Sequence, residues 1–218
     1  MAAGSGRGAL QGARLTTPPV STIVVFDFDH TLIEGDSFWN FLSLIAGWPH
    51  TILALIGGVG QLALGRLKSK HDPQFADHRT FLKAHLLERL VTGRKLADLP
   101  RAVETLRQRL RWKESVRTSL QEHHAAGHHV VIASGGLDLY LVELLQDVPH
   151  HGVICTQIGV ADGTITGAMV NGNCVRLRKA ELVAEYLQQH GPFAESWGYG
   201  NLPHDLPMLE LVKHRIVI

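Results

Sequence analysis

The sequence predicts an α/β protein: a doubly wound, mostly parallel sheet with a helical domain inserted after the first strand. Two short apolar runs, Thr22-Ile-Val-Val-Phe26 and Val130-Val-Ile-Ala133, have the β-branched character of buried parallel strands, and each stops at a polar residue, Asp27 or Ser134. The stretch between them reads as helices only. Beyond the second run, strand and helix patterns alternate, as expected for a parallel sheet covered on both faces.

Taken in order, residues 1–20 are rich in glycine and alanine, contain Pro18 and Pro19, and lack a continuous apolar core. They fail as a secretory signal and read as a disordered extension. In the helical stretch, Leu86, Leu87 and Leu90 share one face, and Val103, Leu106 and Leu110 another. Gly127 is placed to end the last of these helices ahead of the second strand. There follow a helix near 137–146, a strand near 153–158, a hairpin turn at Asp162-Gly163, a helix near 178–189 and a strand near 196–199. A loop with Pro203 and Pro207, a short helix through Leu211 and the apolar end at 215–218 complete the chain. The expected division is an extension (1–20), an α/β core (21–36 and 116–218) and a helical cap (37–115).

With 45% hydrophobic and 19% charged residues in 218, the chain is too apolar for disorder. Lysine plus arginine number 21 against 20 acids, so the net charge of +1 supplies no drive toward nucleic acid, and any anionic ligand must be held by local groups. Trp112 and Trp197 lack basic neighbours in a stacking pattern and read as core. The two cysteines, Cys155 and Cys174, show no paired spacing, which excludes a disulfide framework or zinc ribbon and suggests a reducing, cytoplasmic compartment. His124 and His128 are four apart, but a left-handed Gly127 between them would break the helix that a shared metal needs, so the cluster reads as structural.

The chemistry-bearing residues fall at strand ends. Phe26-Asp-Phe-Asp-His-Thr-Leu32 sets two carboxylates just past a buried strand, where open α/β sheets bind ligands. One carboxylate can attack phosphorus while the other protonates the leaving oxygen and later deprotonates water; alternatively, both are turn-forming or capping aspartates. Ser134-Gly135 offers a hydroxyl and an unhindered N–H to a phosphate. Lys179 starts a helix pattern, where its ammonium can neutralise a phosphoryl oxygen or hold a carboxylate. Tyr199-Gly-Asn-Leu-Pro-His-Asp205 presents an amide and a carboxylate suited to the oxygen shell of magnesium.

In this order, the four pieces resemble the haloacid dehalogenase superfamily, specifically its phosphoserine phosphatase-like IB branch. The resemblance spans residues 22–218 and implies a Rossmann-like core with an inserted helical cap. It implies Asp27 as nucleophile, Asp29 as general acid/base, Ser134 as phosphate ligand with Gly135 beside it, and Lys179 as charge stabiliser. It further implies Mg2+ held by Asp27 and the Asp29 carbonyl, with Asn201 and Asp205 completing the shell. The implied reaction is magnesium-dependent phosphomonoester hydrolysis through a phospho-aspartate. Asn201 departs from the aspartate usual there and brings no charge, and Leu202 stands where the branch often has serine. The departure keeps open a second class, a catalytically weak module that binds a phosphate or a membrane.

From Ser37 to Gly65 there is no Asp, Glu, Lys or Arg, and Arg66, Lys68 and Lys70 follow. Pro49, His50 and several glycines argue against a membrane-spanning helix. Either the cap helices bury one another, or an apolar surface rests on the inner face of a membrane beside anionic headgroups. The run is similar, more loosely, to the phosphatidylglycerophosphatase C members of the branch, which implies a lipid phosphate substrate. The runner-up is a small amino-acid phosphate, for which Asp36, nine residues past Asp27, would meet the amine and Lys83 the carboxylate.

Overall fold

The structure, a computed structural model, describes residues 22–68 and 77–218; the expected N-terminal extension and Lys70 lie outside them. The chain runs β1 (Thr22–Asp27), α1 (Ser37–Ala46), α2 (Trp48–Lys68), α3 (His78–Leu90), α4 (Pro100–Arg109), α5 (Glu114–Ala125), β2 (His129–Leu137), α6 (Asp138–Leu144), β3 (Gly152–Thr156), β4 (Ile158–Ala161), β5 (Thr164–Met169), α7 (Arg176–His190), β6 (Glu195–Gly200), α8 (Leu206–Leu209) and β7 (His214–Val217).

Five strands form a parallel sheet in the order β3-β2-β1-β6-β7. All six residues of β1 are buried because this central strand is covered on both faces. Side chains alternate across a strand. Val24 and Phe26 accordingly join Val130 and Ile132 in a core shared with Phe41, Leu86, Leu106 and Tyr140, whereas Ile23 and Val25 join Val131 and Ala133 against Val183, Met208 and Leu209. The helices of the insert and the sheet thus share one continuous apolar cluster. Because β2 and β6 flank β1 on opposite sides, the crevice at its carboxyl end opens where the strand order reverses.

Two elements differ from expectation. The expected strand near 153–158 is divided: β3 ends at Thr156, and Ile158 begins a separate antiparallel hairpin of β4 and β5. Asp162 and Gly163 turn that hairpin with φ of 50° and 70°, the pair of positive angles a tight hairpin requires and a glycine supplies without strain. The hairpin leaves the sheet and docks on the end of α3, where Gly93 N–H donates to the Ile165 carbonyl and Ile165 N–H to that of Arg94. The second strand also runs past Ala133 to Leu137, with a register shift between those two residues.

The apolar run divides at Gly47 into α1, whose Phe41 and Leu42 are buried, and α2. Pro49 and the glycines do not interrupt α2, contrary to the sequence expectation. Pro49 sits in the first turn, where a missing N–H costs no helical bond. The helix is long and apolar enough to cross a membrane by length and composition, yet little of it is buried. Thr51 and Leu62 face inward, while Leu53, Ile56 and Leu67 are 68%, 62% and 79% exposed.

Truncation should separate these environments. Leu106→Ala, in the shared core, is expected to lower unfolding free energy by about 2–5 kcal/mol, while Leu53→Ser on the exposed face changes it by less than about 0.5 kcal/mol. Urea titration of the two variants measures both.

Candidate active site

The β1 strand ends at Asp27, and the chain reverses through a single π-helical turn, Phe28–Leu32. His30 takes a left-handed φ of 62° there, held by its N–H donating to the Gly35 carbonyl (3.0 Å) and by Lys113 Nζ donating to its own carbonyl (2.7 Å). This reversal keeps Asp29 beside Asp27 at the strand end. Both line a cleft of about 560 Å³ together with Gly135, Lys179, Asn201 and Asp205.

At the floor, Lys179 donates to Asp27 Oδ1 and Asp205 Oδ1, each at 2.7 Å, with all three side chains buried. The ammonium's own burial would favour loss of its proton, but the two carboxylates prevail and hold it well above the ordinary lysine range. Burial pushes the Asp27 carboxyl up, opposed by Lys179. Asp205 Oδ2 accepts from Asn201 N–H at 2.9 Å, so both its oxygens are engaged. Gly200 permits this closeness, since a β-carbon there would stand 2.7 Å from that of Asp205.

Asp29 accepts from Ser37 N–H at 2.7 Å and from the Ser134 hydroxyl at 3.4 Å. Burial, reinforced by the neighbouring Asp36 charge, pushes its carboxyl up to about 7, so near neutral pH it exists in both protonation states. Ser134 Oγ also accepts from Gly136 N–H at 2.9 Å, which fixes the turn after β2.

The structure changes the reading of two expected substrate contacts. Lys83 lines the cleft, but its ammonium donates to Thr156 Oγ1 (3.2 Å), Asn173 Oδ1 (2.9 Å) and the Gly135 carbonyl. All three donors are thereby engaged, so Lys83 braces the Ser134–Gly135 turn instead of offering a hydrogen bond to a carboxylate. Burial brings its pKa down to about 8. Asp36 also lines the cleft, where its Oδ1 accepts from Phe38 and Trp39 N–H and caps α1. Thr156 and Asn173 escaped the sequence reading because only the packing of α3 against the β3 end reveals them, as did the cleft residues His78 and Arg176; Arg79 and His204 also line the cleft.

The donor set suits magnesium. Asp27, the Asp29 carbonyl and the Asn201 amide supply hard oxygens at one place: Asn201 Nδ2 lies 3.2 Å from the Asp29 carbonyl, and rotation of the amide would present its oxygen to the same point. Asp205 is oriented toward Lys179. Among the described residues, no three His, Cys, Asp or Glu side chains form a ready metal cage, so any cation depends on these carbonyl and amide oxygens.

The sequence model of the haloacid dehalogenase-like hydrolases matches residues 24–210. The chain belongs to that family. Phosphoserine phosphatase SerB2 of Mycobacterium tuberculosis is 25% identical over 190 residues, covering 86% of this chain and 41% of the relative, so the chain spans about two fifths of that protein's length. Among solved structures, a protein with unknown function from Bordetella pertussis Tohama I superposes with a TM-score of 0.69 at 21% identity, covering 91% of this chain and 90% of that one. A probable phosphoserine phosphatase from Vibrio cholerae gives 0.59 at 18% identity, covering 89% and 55%. In this hydrolase the parallel sheet and helical elements agree with the family's core and cap.

The histidine cluster lies at the opposite end of β2. Gly127 ends α5 with φ of 75°, as expected. His123 and His128 pair through their Nδ1 atoms at 2.8 Å. His129 stacks on His151 at 4.6 Å, bonds the Tyr186 hydroxyl at 2.8 Å and lies near His190. Trp112 and Trp197 are partly buried against the core, with Arg117 over the Trp112 ring. Cys155 and Cys174 are buried free thiols whose pKa values burial pushes up to about 12 and about 11, so neither is a ready nucleophile.

Burial and the neighbouring His151 and His190 lower the His129 pKa below its ordinary 6.5. The folded state therefore binds fewer protons than the unfolded chain just below that pH, and this residue's contribution is present above it and lost on acidification. The wild-type stability minus that of His129→Gln should decline between about pH 7.5 and about pH 5.5, measured by urea titration at each pH.

Proposed function

We propose that the protein is a magnesium-dependent phosphomonoester phosphatase acting through a phospho-aspartate on Asp27. The observation that carries this reading is the buried Asp27–Lys179–Asp205 arrangement beside an Asp29 carboxyl poised near neutrality. Lys179 orients one oxygen of Asp27 and leaves the other for attack on phosphorus. As the P–O bond to Asp27 forms and that to the leaving group breaks, protonated Asp29 gives its proton to the departing oxygen. Asp29, now ionised, takes a proton from the water that attacks the phospho-aspartate, which restores both carboxyls and releases phosphate. Gly135 faces the transferred group from the cleft wall, with Ser134, buried and bonded to Asp29 and Gly136, fixing the turn and Lys83 bracing it from behind. Mg2+ held by Asp27, the Asp29 carbonyl and Asn201 would offset the charge of the incoming phosphate. The helices of 37–115 are the elements we assign to substrate selection, since Phe38, Trp39 and Leu82 form an apolar cleft wall.

One observation favours an amphiphilic substrate at a membrane surface over a small amino-acid phosphate. Exposed apolar residues run the length of α2, whose Leu55 also lines the cleft, whereas the Lys83 expected to hold a carboxylate is fully engaged. The SerB2 relative supports the small-ester alternative. Sedimentation with anionic vesicles distinguishes them: wild-type protein should pellet and the double variant Leu53→Ser, Ile56→Ser remain largely soluble. Equal recovery in the supernatant with and without vesicles excludes the membrane reading.

Turnover of an aryl phosphate with magnesium should fall by at least about a thousandfold in Asp27→Asn, which removes the nucleophile. Asn201→Asp adds a charge beside the cation and places two acceptors face to face at the Asp29 carbonyl. It should tighten magnesium binding in calorimetry while lowering the melting temperature of the metal-free protein. An Asp27→Asn variant as active as wild type would refute the mechanism.

A further inference from the structure

Beyond Lys179 the cleft continues into a basic rim that the mechanism leaves unused. Four side chains lining the cleft form it: His78 and Arg79 from the start of α3, Arg176 from the start of α7, and His204 from the turn before α8. Arg79 Nη2 stands 3.2 Å from His204 Nε2. A guanidinium only donates, so Nε2 accepts and the ring hydrogen sits on Nδ1. That Nδ1 is buried and has no hydrogen-bond partner among the described residues. His204 immediately precedes Asp205 in the chain, which sets the rim next to the catalytic floor.

Among the described residues, the acids that line the cleft are engaged elsewhere. Asp27 and Asp205 are held by Lys179, Asp29 is buried beneath Ser37 and Ser134, and Asp36 caps α1. Arg176 is exposed and holds a left-handed φ of 50°, which a residue with a β-carbon disfavours. The two guanidiniums come from different elements. A planar carboxylate gripped by one would leave the other unmatched, whereas a tetrahedral phosphate can present oxygens to both.

We infer that this rim is a second anion subsite and that the substrate is a phosphomonoester whose leaving group carries another phosphate. The inference rests on the phosphatase reading for the first phosphate and extends it to the leaving group. The test compares kcat/KM for propyl phosphate, phosphopropionate and propanediol bisphosphate. Wild-type protein is expected to favour the bisphosphate over propyl phosphate by at least about tenfold, and also over phosphopropionate, while Arg79→Gln and Arg176→Gln reduce the first ratio below about threefold. Arg176→Gly removes the same charge but relieves the backbone. Its melting temperature should hold or rise as the preference falls, which a structural role for the arginine would not produce.

Equal ratios in wild type and variants, or phosphopropionate matching the bisphosphate, overturn the inference. Should wild-type protein hydrolyse none of the three, the phosphatase reading fails, and calorimetry then judges the rim by itself. Tighter binding of the bisphosphate than of propyl phosphate, lost in Arg79→Gln, supports the subsite; equal binding overturns it.

Discussion

A buried ammonium shared by two buried carboxylates is the constraint around which the site is built. Lys179 at 2.7 Å from both Asp27 and Asp205 joins the end of β1, the start of α7 and the turn before α8. Removing one partner from such an ion pair costs about 3–5 kcal/mol, because the remaining charge stays buried and uncompensated. The three segments are therefore tied to one another by desolvation as much as by attraction. With Lys179 positive and both partners ionised, the three groups carry one excess negative charge. That charge gives a cation a reason to bind.

The sheet converts this local constraint into a site. β1 is buried on both faces, so its register against β2 and β6 fixes where Asp27 emerges relative to Ser134 and Gly200. Asp27 is paired with Ala133, which places Ser134 one residue beyond the level of Asp27 on the neighbouring strand. The register shift after Ala133 then turns the Ser134–Gly136 backbone out of the regular ladder toward the cleft. Lys83 completes the arrangement from the cap side, since its bonds to the Gly135 carbonyl, Thr156 and Asn173 tie α3 to that turn. The helical insert thereby contributes to the geometry of the Ser134–Gly136 turn as well as to the cleft wall.

The residues legible in the sequence were those at ends of strongly patterned strands. Asp27, Asp29 and Ser134 lie just past short apolar runs, Lys179 opens a helix pattern and Asp205 falls in the loop past a third strand, but only their order, matched to the family, singled them out together. Lys83 was legible as a cleft residue but not as a brace, because its acceptors lie 52, 73 and 90 residues away and converge only after the chain has folded. Arg176 carried no signal for the same reason, and His204 stood inside the last motif without a role of its own. The division of the expected 153–158 strand was hidden by its uninterrupted apolar character. Its second part pairs with β5 and docks on α3, a choice made by tertiary contacts. For α2, the glycines weighed against a continuous helix by propensity, yet packing against α3 outweighs that cost.

Asn201 follows from the same electrostatics. An aspartate there would add a further carboxylate to the cleft and turn two acceptors toward each other at the Asp29 carbonyl. The amide instead donates to that carbonyl, so the turn after β1 is held in place before any cation arrives. A site that is ordered without its ion spends less of the ion's binding energy on ordering the chain. It also receives less Coulombic attraction, because the amide brings no charge. The substitution therefore lowers the charge offered to a cation while holding the Asp29 carbonyl in place by a hydrogen bond that only rotation of the amide would release.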